Sequence, residues 1–332
     1  MENKQVKNIS SKLTIKDRLG AWNVRWGIRR MNYIVEPGLY SIGMPDNASP
    51  VFVSANYKLT FDILRKNLDG IDCWLLILDT KGINVWCAAG KGTFGTEELL
   101  QRIEMSDLSN YVSHKKLILP QLSATGVDAN EVKRQSGYDI QYGPVRANDI
   151  KEFINAGYEV TKDMRIVQFN LWDRVVLTPM ELVPAMKYAL PIFGVMFLAN
   201  NFLSYPFDKT DFMLGTGAVL SGTVVTPVLL PYILGKAFSL KGWLVGVGIT
   251  TGLLGLLKKF SKSNRLSSIG NLLLYPAISS FLAMNFTGAS TYTSPSGVNK
   301  EMKKALPYIV SSAVIGAIIT IGVHLFTKES EK

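Results

Sequence analysis

Two thiols occur in the 332 residues, Cys73 and Cys87, and only one stands where a thiol could react. Cys87 lies in the octet Asn84-Val85-Trp86-Cys87-Ala88-Ala89-Gly90-Lys91. Asn84 is a good N-cap residue, so the octet predicts a short helix with Cys87 in its first turn. There the unpaired N–H groups and the positive dipole end stabilise a thiolate, and Lys91, four residues on, shares the same face. A cysteine so placed is a candidate nucleophile or soft-metal ligand. Cys73, inside the apolar run 71–78, reads instead as a small buried hydrophobe. His114 and His324 are too few for a histidine-built zinc or iron site. Two cysteines are likewise too few for a disulfide framework or an iron–sulfur cluster held within the chain.

The elements that must position Cys87 follow from the flanking pattern. The apolar run 73–78, closed by Asp79-Thr80-Lys81-Gly82, reads as a buried strand ending in a turn. Further strands are expected at 50–55, 116–119, 140–142 and 165–169, alternating with helices at 58–68, 96–103, 129–136 and 148–156. Repeated strand-helix units predict a parallel sheet with helices on both faces. Ligands of such sheets bind beyond the carboxyl ends of the strands. The loops expected there are Ser54-Ala55-Asn56-Tyr57, residues 80–95, residues 120–126 with Gln121, Ser123, Thr125 and Gly126, and Gly143-Pro144-Val145-Arg146. Small residues, hydroxyls and amides on one edge suit a broad, flat cofactor bearing amide arms. Turns use the same residue types, so the loops alone decide nothing.

Composition separates the two halves of the chain. Apolar residues make up 47% and the mean hydropathy is positive, which suits a protein part soluble and part membrane-embedded. Residues 184–332 hold 13 Lys and Arg against 5 Asp and Glu, while residues 1–183 hold 23 against 21. The basic excess lies between apolar runs, where it reads as topology and lipid contact and not as nucleic-acid binding. Five apolar stretches, 188–207, 212–235, 242–257, 266–286 and 305–327, are candidates to cross a bilayer, the third being the shortest. With five spans, Lys258, Lys259, Lys262 and Arg265 fall on the outer side, against the positive-inside tendency; a re-entrant 242–257 would return them. The hydroxyl-dense stretch 286–297 is expected as a loop. Residues 1–20 read as a mobile tail without a secretory h-region, and 21–33 as a Trp- and Arg-rich segment suited to packing or a membrane surface.

The octet resembles, at every position, the signature of the mercury-methylating corrinoid proteins, Asn-(Val/Ile)-Trp-Cys-Ala-(Ala/Gly)-Gly-Lys. The N-terminal half is also similar to the corrinoid domain of the corrinoid iron–sulfur protein of the acetyl-CoA pathway. That similarity lies around Pro37-Gly38-Leu39-Tyr40, Ser54-Ala55-Asn56-Tyr57-Lys58-Leu59-Thr60 and Asp79-Thr80-Lys81-Gly82. The resemblance implies an α/β Rossmann-like corrinoid-binding domain followed by an all-α transmembrane domain of about five helices. Its domains would be a tail (1–20), a cytoplasmic corrinoid domain (21–171), a linker (172–187), a transmembrane domain (188–327) and a short tail (328–332), in the inner membrane.

The same resemblance implies a corrinoid-dependent methyltransferase. Cobalamin or a related corrinoid, in its methylcob(III)alamin form, would take Cys87 as lower axial cobalt ligand. The usual lower-ligand motif, Asp-x-His-x-x-Gly, is absent, and Cys87 is the soft ligand at that edge. Asn84, Val85, Trp86, Ala88, Ala89, Gly90 and Lys91 would form a cap helix. Ser54, Ala55, Asn56, Thr60, Gln121, Ser123, Thr125, Gly126, Gly143, Pro144, Val145 and Arg146 would contact the cofactor. Methyl would come from a folate-linked donor protein and pass to mercury(II), giving methylmercury. Electrons would return from a ferredoxin-like partner with two 4Fe–4S clusters, and the bilayer is a further partner. Two other functions stay open: a corrinoid methyl carrier for another acceptor in one-carbon metabolism, and a non-enzymatic membrane sensor or anchor.

Overall fold

The computed structural model describes residues 6–203, 209–260 and 265–329, and the chain divides into two compact units, 1–168 and 169–332. The first unit is built on a six-stranded sheet. Its strands are β1 (Lys7–Asn8), β2 (Gly38–Ile42), β3 (Val51–Ala55), β4 (Cys73–Leu78), β5 (Lys116–Leu119) and β6 (Asp139–Tyr142), in the order β1-β2-β4-β3-β5-β6. From β4 to β6 all neighbours are parallel, with Val53 beside Leu76 and Phe52 beside Ile118. β2 runs antiparallel to β4, so the sheet is mixed where a parallel one was expected. The reason is that residues 43–50 join β2 to β3 without a helix, so no crossover imposes a parallel direction on β2 relative to the strands that follow.

Alternation along the strands sends side chains into two cores. Val51, Val53, Ala55, Leu76 and Leu78 pack with Leu99 and Ile103 of α4 (Thr96–Met105) and Val132 of α5 (Ala129–Ser136). Phe52, Leu75, Ile77 and Ile118 face Phe61 and Leu64 of α2 (Lys58–Asn67) and Ile150 and Phe153 of α6 (Ile150–Asn155). Cys73 belongs to this second core and is fully buried. Chain direction reverses at β3: the connection from β3 leads to β4 on one side, and that from β4 crosses back to β5 on the other. The carboxyl ends of β3 and β5 therefore flank a topological switch point.

Two further expectations in this unit need correction. Residues 6–20 are not a mobile tail: β1 pairs with β2, and α1 (Ile15–Arg25) starts with a capping box between Thr14 and Asp17. Asp17 also pairs with Lys58 at 2.7 Å and Arg65 at 2.8 Å, contacts across more than forty residues that local sequence does not announce. Residues 165–169 are not a strand. Met164 is the residue that enters the core there, at the end of a segment that hydrogen-bonds alongside β6 through Val145 N–H and the Met164 carbonyl.

The second unit consists of helices. α7 (Leu171–Leu203) is continuous through residues 172–187, which were expected as a linker, and contains Pro179, Pro184 and Pro191. Next come α8 (Lys209–Leu220), a π-helical turn (Ser221–Val225) and α9 (Thr226–Leu229). The last three helices are α10 (Phe238–Leu256), α11 (Arg265–Asn285) and α12 (Pro295–Glu329). Five helical stretches are long and apolar enough to cross a membrane: Leu171–Ala199, Lys209–Tyr232, Phe238–Leu256, Arg265–Gly288 and Ser296–Val323. The third is 19 residues long, roughly 28 Å of helix against a hydrocarbon core of roughly 30 Å. The carboxyl end of stretch 188–207 and residues 330–332 of the expected tail lie outside the described residues.

Small residues set the helix spacing. A Cβ added at Gly242 would lie 2.8 Å from the Ser279 carbonyl oxygen, and one at Gly246 2.8 Å from Pro276 Cα. The contact is sealed by hydroxyls, Ser279 donating to the Gly242 carbonyl and Ser280 to the Ser239 carbonyl, each at 2.7 Å. Such seams are how helices approach closely where water supplies no drive. Lys241, just before the third apolar stretch, is buried, and its ammonium donates to the Leu230 and Ile233 carbonyls. The hydroxyl-dense stretch is shorter as a loop than expected. Phe286–Ala289 is a 3-10 turn, Thr287 donates to the Met284 carbonyl, and α12 starts at Pro295.

Candidate functional site at the carboxyl edge of the sheet

The helix that carries Cys87 is placed by a clamp at its entrance. β4 ends at Leu78, and the chain turns through Lys81 (φ +57°) and Gly82 (φ +69°). The buried Asn56 amide reaches across from the end of β3. Its oxygen accepts from the Thr80 N–H (3.1 Å), the Thr80 hydroxyl (2.9 Å) and the Gly82 N–H (3.0 Å), and its NH2 donates to Asp79 at 3.1 Å. One side chain thus ties the ends of two neighbouring strands together. Gly82 is required for space as well as for φ, because a Cβ there would sit 2.5 Å from Ile34 Cγ2.

From this turn Asn84 opens α3 (Val85–Lys91), its side-chain oxygen accepting from the Cys87 N–H at 2.9 Å. The helix ends at Gly92 (φ +79°). Val85, Ala88 and Ala89 face the core, while Trp86, Cys87, Gly90 and Lys91 face outward. Cys87 is exposed. Cys73 is its opposite: burial, and secondarily Asp72, pushes that thiol up to about 12. At neutral pH it stays protonated and inert.

Beside α3, at the switch point between β3 and β5, lies a cavity of about 300 Å³. Of the residues singled out in the sequence, Ser54, Thr60, Asn84, Val85, Trp86, Gly143, Pro144 and Val145 line it. Cys87 is next to this wall and not in it. The apolar floor, made by Phe52, Val53, Ile63, Leu64, Ile118 and Leu119, was not foreseen, because those positions read only as core. Pro120 and Leu122 complete the loop side.

Other residues singled out in the sequence sit elsewhere. Ala55 is fully buried. Asn56 spends its amide on the clamp just described, so it is a correction to the expectation of a cofactor contact. Ser123 is buried, donating to the Pro120 carbonyl at 2.8 Å. Thr125 is exposed, and Arg146 does not line the cavity. Gly126 packs the loop against α3: an added Cβ would lie 2.3 Å from the Phe94 carbonyl oxygen and 3.0 Å from Ala89 Cα. Gln121 does not line the cavity, but its side-chain carbonyl is buried with no hydrogen-bond partner among the described residues.

This arrangement bears on known proteins over a defined stretch. Residues 29–154 match the family model described as the CO dehydrogenase/acetyl-CoA synthase delta subunit. The gamma subunit of the acetyl-CoA decarbonylase/synthase complex of Methanopyrus kandleri is 37% identical over 122 residues, 36% of this chain and 26% of that protein. The corresponding subunit of Methanocaldococcus jannaschii is 32% identical over 127 residues, 38% of this chain and 26% of that protein. A gamma 2 subunit from Methanosarcina thermophila is 38% identical over 94 residues, 27% and 20% of the two chains. The chain thus spans about a quarter of the length of the first two relatives, and the matched stretch contains α3, the Asn56 clamp and the cavity.

A corrinoid can be tested against these residues. It asks for a soft axial donor, an edge without bulky side chains, and polar partners for its amides. Cys87 is an exposed soft donor on a capped helix, and the neighbouring wall carries the small residues Gly143 and Ser54, the latter with a hydroxyl. The donor chemistry fits.

Proposed function

We propose that this chain is a membrane-embedded corrinoid-dependent methyltransferase in which Cys87 would hold the cobalt and mercury(II) would accept the methyl group. The single observation that carries the reading is the exposed thiol, on a helix capped by Asn84 at the carboxyl edge, inside residues 29–154 that match the CO dehydrogenase/acetyl-CoA synthase delta subunit model. When bound, the corrinoid supplies a cobalt–carbon bond that can be cleaved to deliver methyl. The chain's part is electronic and positional. A cysteine sulfur is an electron-rich soft donor, and the group it would hold would supply methyl in the polarity that a soft cation such as mercury(II) requires. Asn84 holds the turn that presents the sulfur, and Asn56 holds the turn that presents Asn84. Trp86, at the rim, keeps water from the inner wall.

The donor would be a folate-linked methyl protein and the reductant a ferredoxin-like protein with two 4Fe–4S clusters. The five apolar helices support a multi-pass membrane protein, to be placed in this reading in the inner membrane with its Rossmann-like corrinoid domain in the cytoplasm. A second reading, a corrinoid methyl carrier for another acceptor in one-carbon metabolism, is favoured by the comparisons, whose named relatives are acetyl-CoA decarbonylase/synthase subunits. Against it stand the surface thiol and the helical second unit.

The test is anaerobic purification of the full chain with corrinoid, followed by cobalt analysis, an absorption spectrum and methyl transfer to mercury(II) or to a nickel-enzyme acceptor. Cobalt-bearing protein that methylates mercury(II), with loss of that transfer in Cys87→Ala, is the expected result. Transfer to the nickel enzyme alone would establish the second reading, and protein without cobalt would refute both.

A further inference from the structure

Helix α1 presents an apolar stripe that its own packing leaves outward. Ile15, Leu19, Trp22 and Trp26 follow at intervals of four, three and four residues, which aligns them in one narrow arc of the helix. They are 78%, 61%, 64% and 40% exposed, and the two indoles stack with centroids 6.3 Å apart. The opposite side is the anchored one. Val24 is buried, Asp17 pairs with Lys58 and Arg65, and Gly20 lies so near Tyr33 that a Cβ would clash with its hydroxyl. The exposure is thus a consequence of which face is docked, not of a frayed end.

The charge around the stripe is one-sided. Between residues 12 and 35 the bases are Lys12, Lys16, Arg18, Arg25, Arg29 and Arg30, and the sole acid, Asp17, is turned inward. At 100° per residue, Lys16 borders one side of the stripe and Arg18 and Arg25 the other. An apolar face holding two tryptophans and rimmed by long cationic side chains is the composition of a helix lying in a membrane interface. There the stems of Lys and Arg stay apolar-side while their heads reach lipid phosphates. A nucleic acid would engage the cations and leave Ile15 and Leu19 in water. A soluble protein partner would have no need of a cationic rim on both borders.

We propose that α1 is a peripheral membrane anchor that lays Ile15, Leu19, Trp22 and Trp26 into the interface of an anionic bilayer. The inference rests on the reading of the chain as membrane-embedded, which incorporation into lipid discs tests by itself.

The experiment uses the full chain in nanodiscs of phosphatidylcholine with phosphatidylglycerol, with plain or brominated acyl chains. Tryptophan emission is compared with that of a Trp22→Phe/Trp26→Phe variant, so that the difference spectrum reports these two indoles alone. The expected result is loss of the difference spectrum in brominated anionic discs and a smaller loss in discs of phosphatidylcholine only. A second variant, Ile15→Asp/Leu19→Asp, is expected to restore emission of the two indoles with an unchanged circular-dichroism melt. Equal difference spectra in brominated and plain discs would overturn the proposal. So would a response of the two indoles to single-stranded DNA and not to anionic lipid. A chain recovered entirely without discs would overturn the membrane reading and this inference with it.

Discussion

Cys73 and Cys87 are separated chemically by what surrounds them, and the consequence can be measured on the folded protein. Cys73 is fully buried in β4, its thiol pushed up to about 12 by burial and then by Asp72, whereas Cys87 stands in the open first turn of α3. A thiol reagent applied at a pH well below that value is expected to modify Cys87 and spare Cys73 until the protein unfolds; peptide mapping that finds Cys73 labelled first would refute the assignment. Cys73→Ala should keep methyl transfer at a stability cost of about 1 kcal/mol for the lost buried atom. Cys87→Ala should lose transfer with little change in stability, since its side chain is exposed. Both environments were legible in the sequence, because one cysteine sits in an apolar run and the other follows an N-cap asparagine. Gln121 and Asn56 were legible only as polar loop residues. Which of them is spent on backbone and which keeps a buried acceptor depends on the fold, not on neighbours in the chain.

Single helices and turns respond next. Asn84→Ala removes the cap at the Cys87 N–H and should cost about 1 kcal/mol. Asn56→Ala removes the acceptor shared by the Thr80 N–H, the Thr80 hydroxyl and the Gly82 N–H; because Thr80 and Asp79 keep other partners, it should cost about 2 kcal/mol, measured by denaturant unfolding. It should also slow or weaken whatever Cys87 does, because the turn it holds leads into α3. Asp17 gives α1 a pH dependence. Burial works to raise its carboxyl, but hydrogen bonds from Lys58, Thr14 and Arg65 outweigh it and hold the group well below the ordinary carboxylate range. A depressed folded-state value means stability that is complete above the ordinary value of about 4 and fades as the pH falls below it. Acid unfolding followed by circular dichroism should therefore begin below about pH 4 in the wild type. In Asp17→Asn that contribution should be missing throughout. Here the sequence misled. The polar start looked like a tail, since the groups that hold it, Lys58 and Arg65, lie on a helix far along the chain.

At the scale of the molecule, the two units draw on different physics. The first buries two apolar cores on either side of a sheet, and the second joins helices through glycine and serine seams. Gly246→Leu is expected to lower the thermal transition of the helical unit, because its side chain would meet Pro276 and Ser279. The transition of the sheet unit, followed by the burial of Cys73 from a thiol reagent, should be unmoved; a joint shift would show that the units unfold together. The middle three apolar helices were legible almost to their boundaries, since a membrane-length apolar run is a strong compositional signal. The antiparallel β2 and the continuous helix through 172–187 were not. Direction in a sheet and persistence of a helix past prolines are decided by neighbours.

The close approach of Gly126 to Ala89 has a bearing on how far this sequence can vary. A methyl group there would collide with main chain on both sides, so it could enter only by prising the thiol-bearing helix off the adjoining loop. A library randomised at position 126 and selected for retention of cobalt should return glycine almost alone, while the exposed Thr125 beside it should accept most replacements.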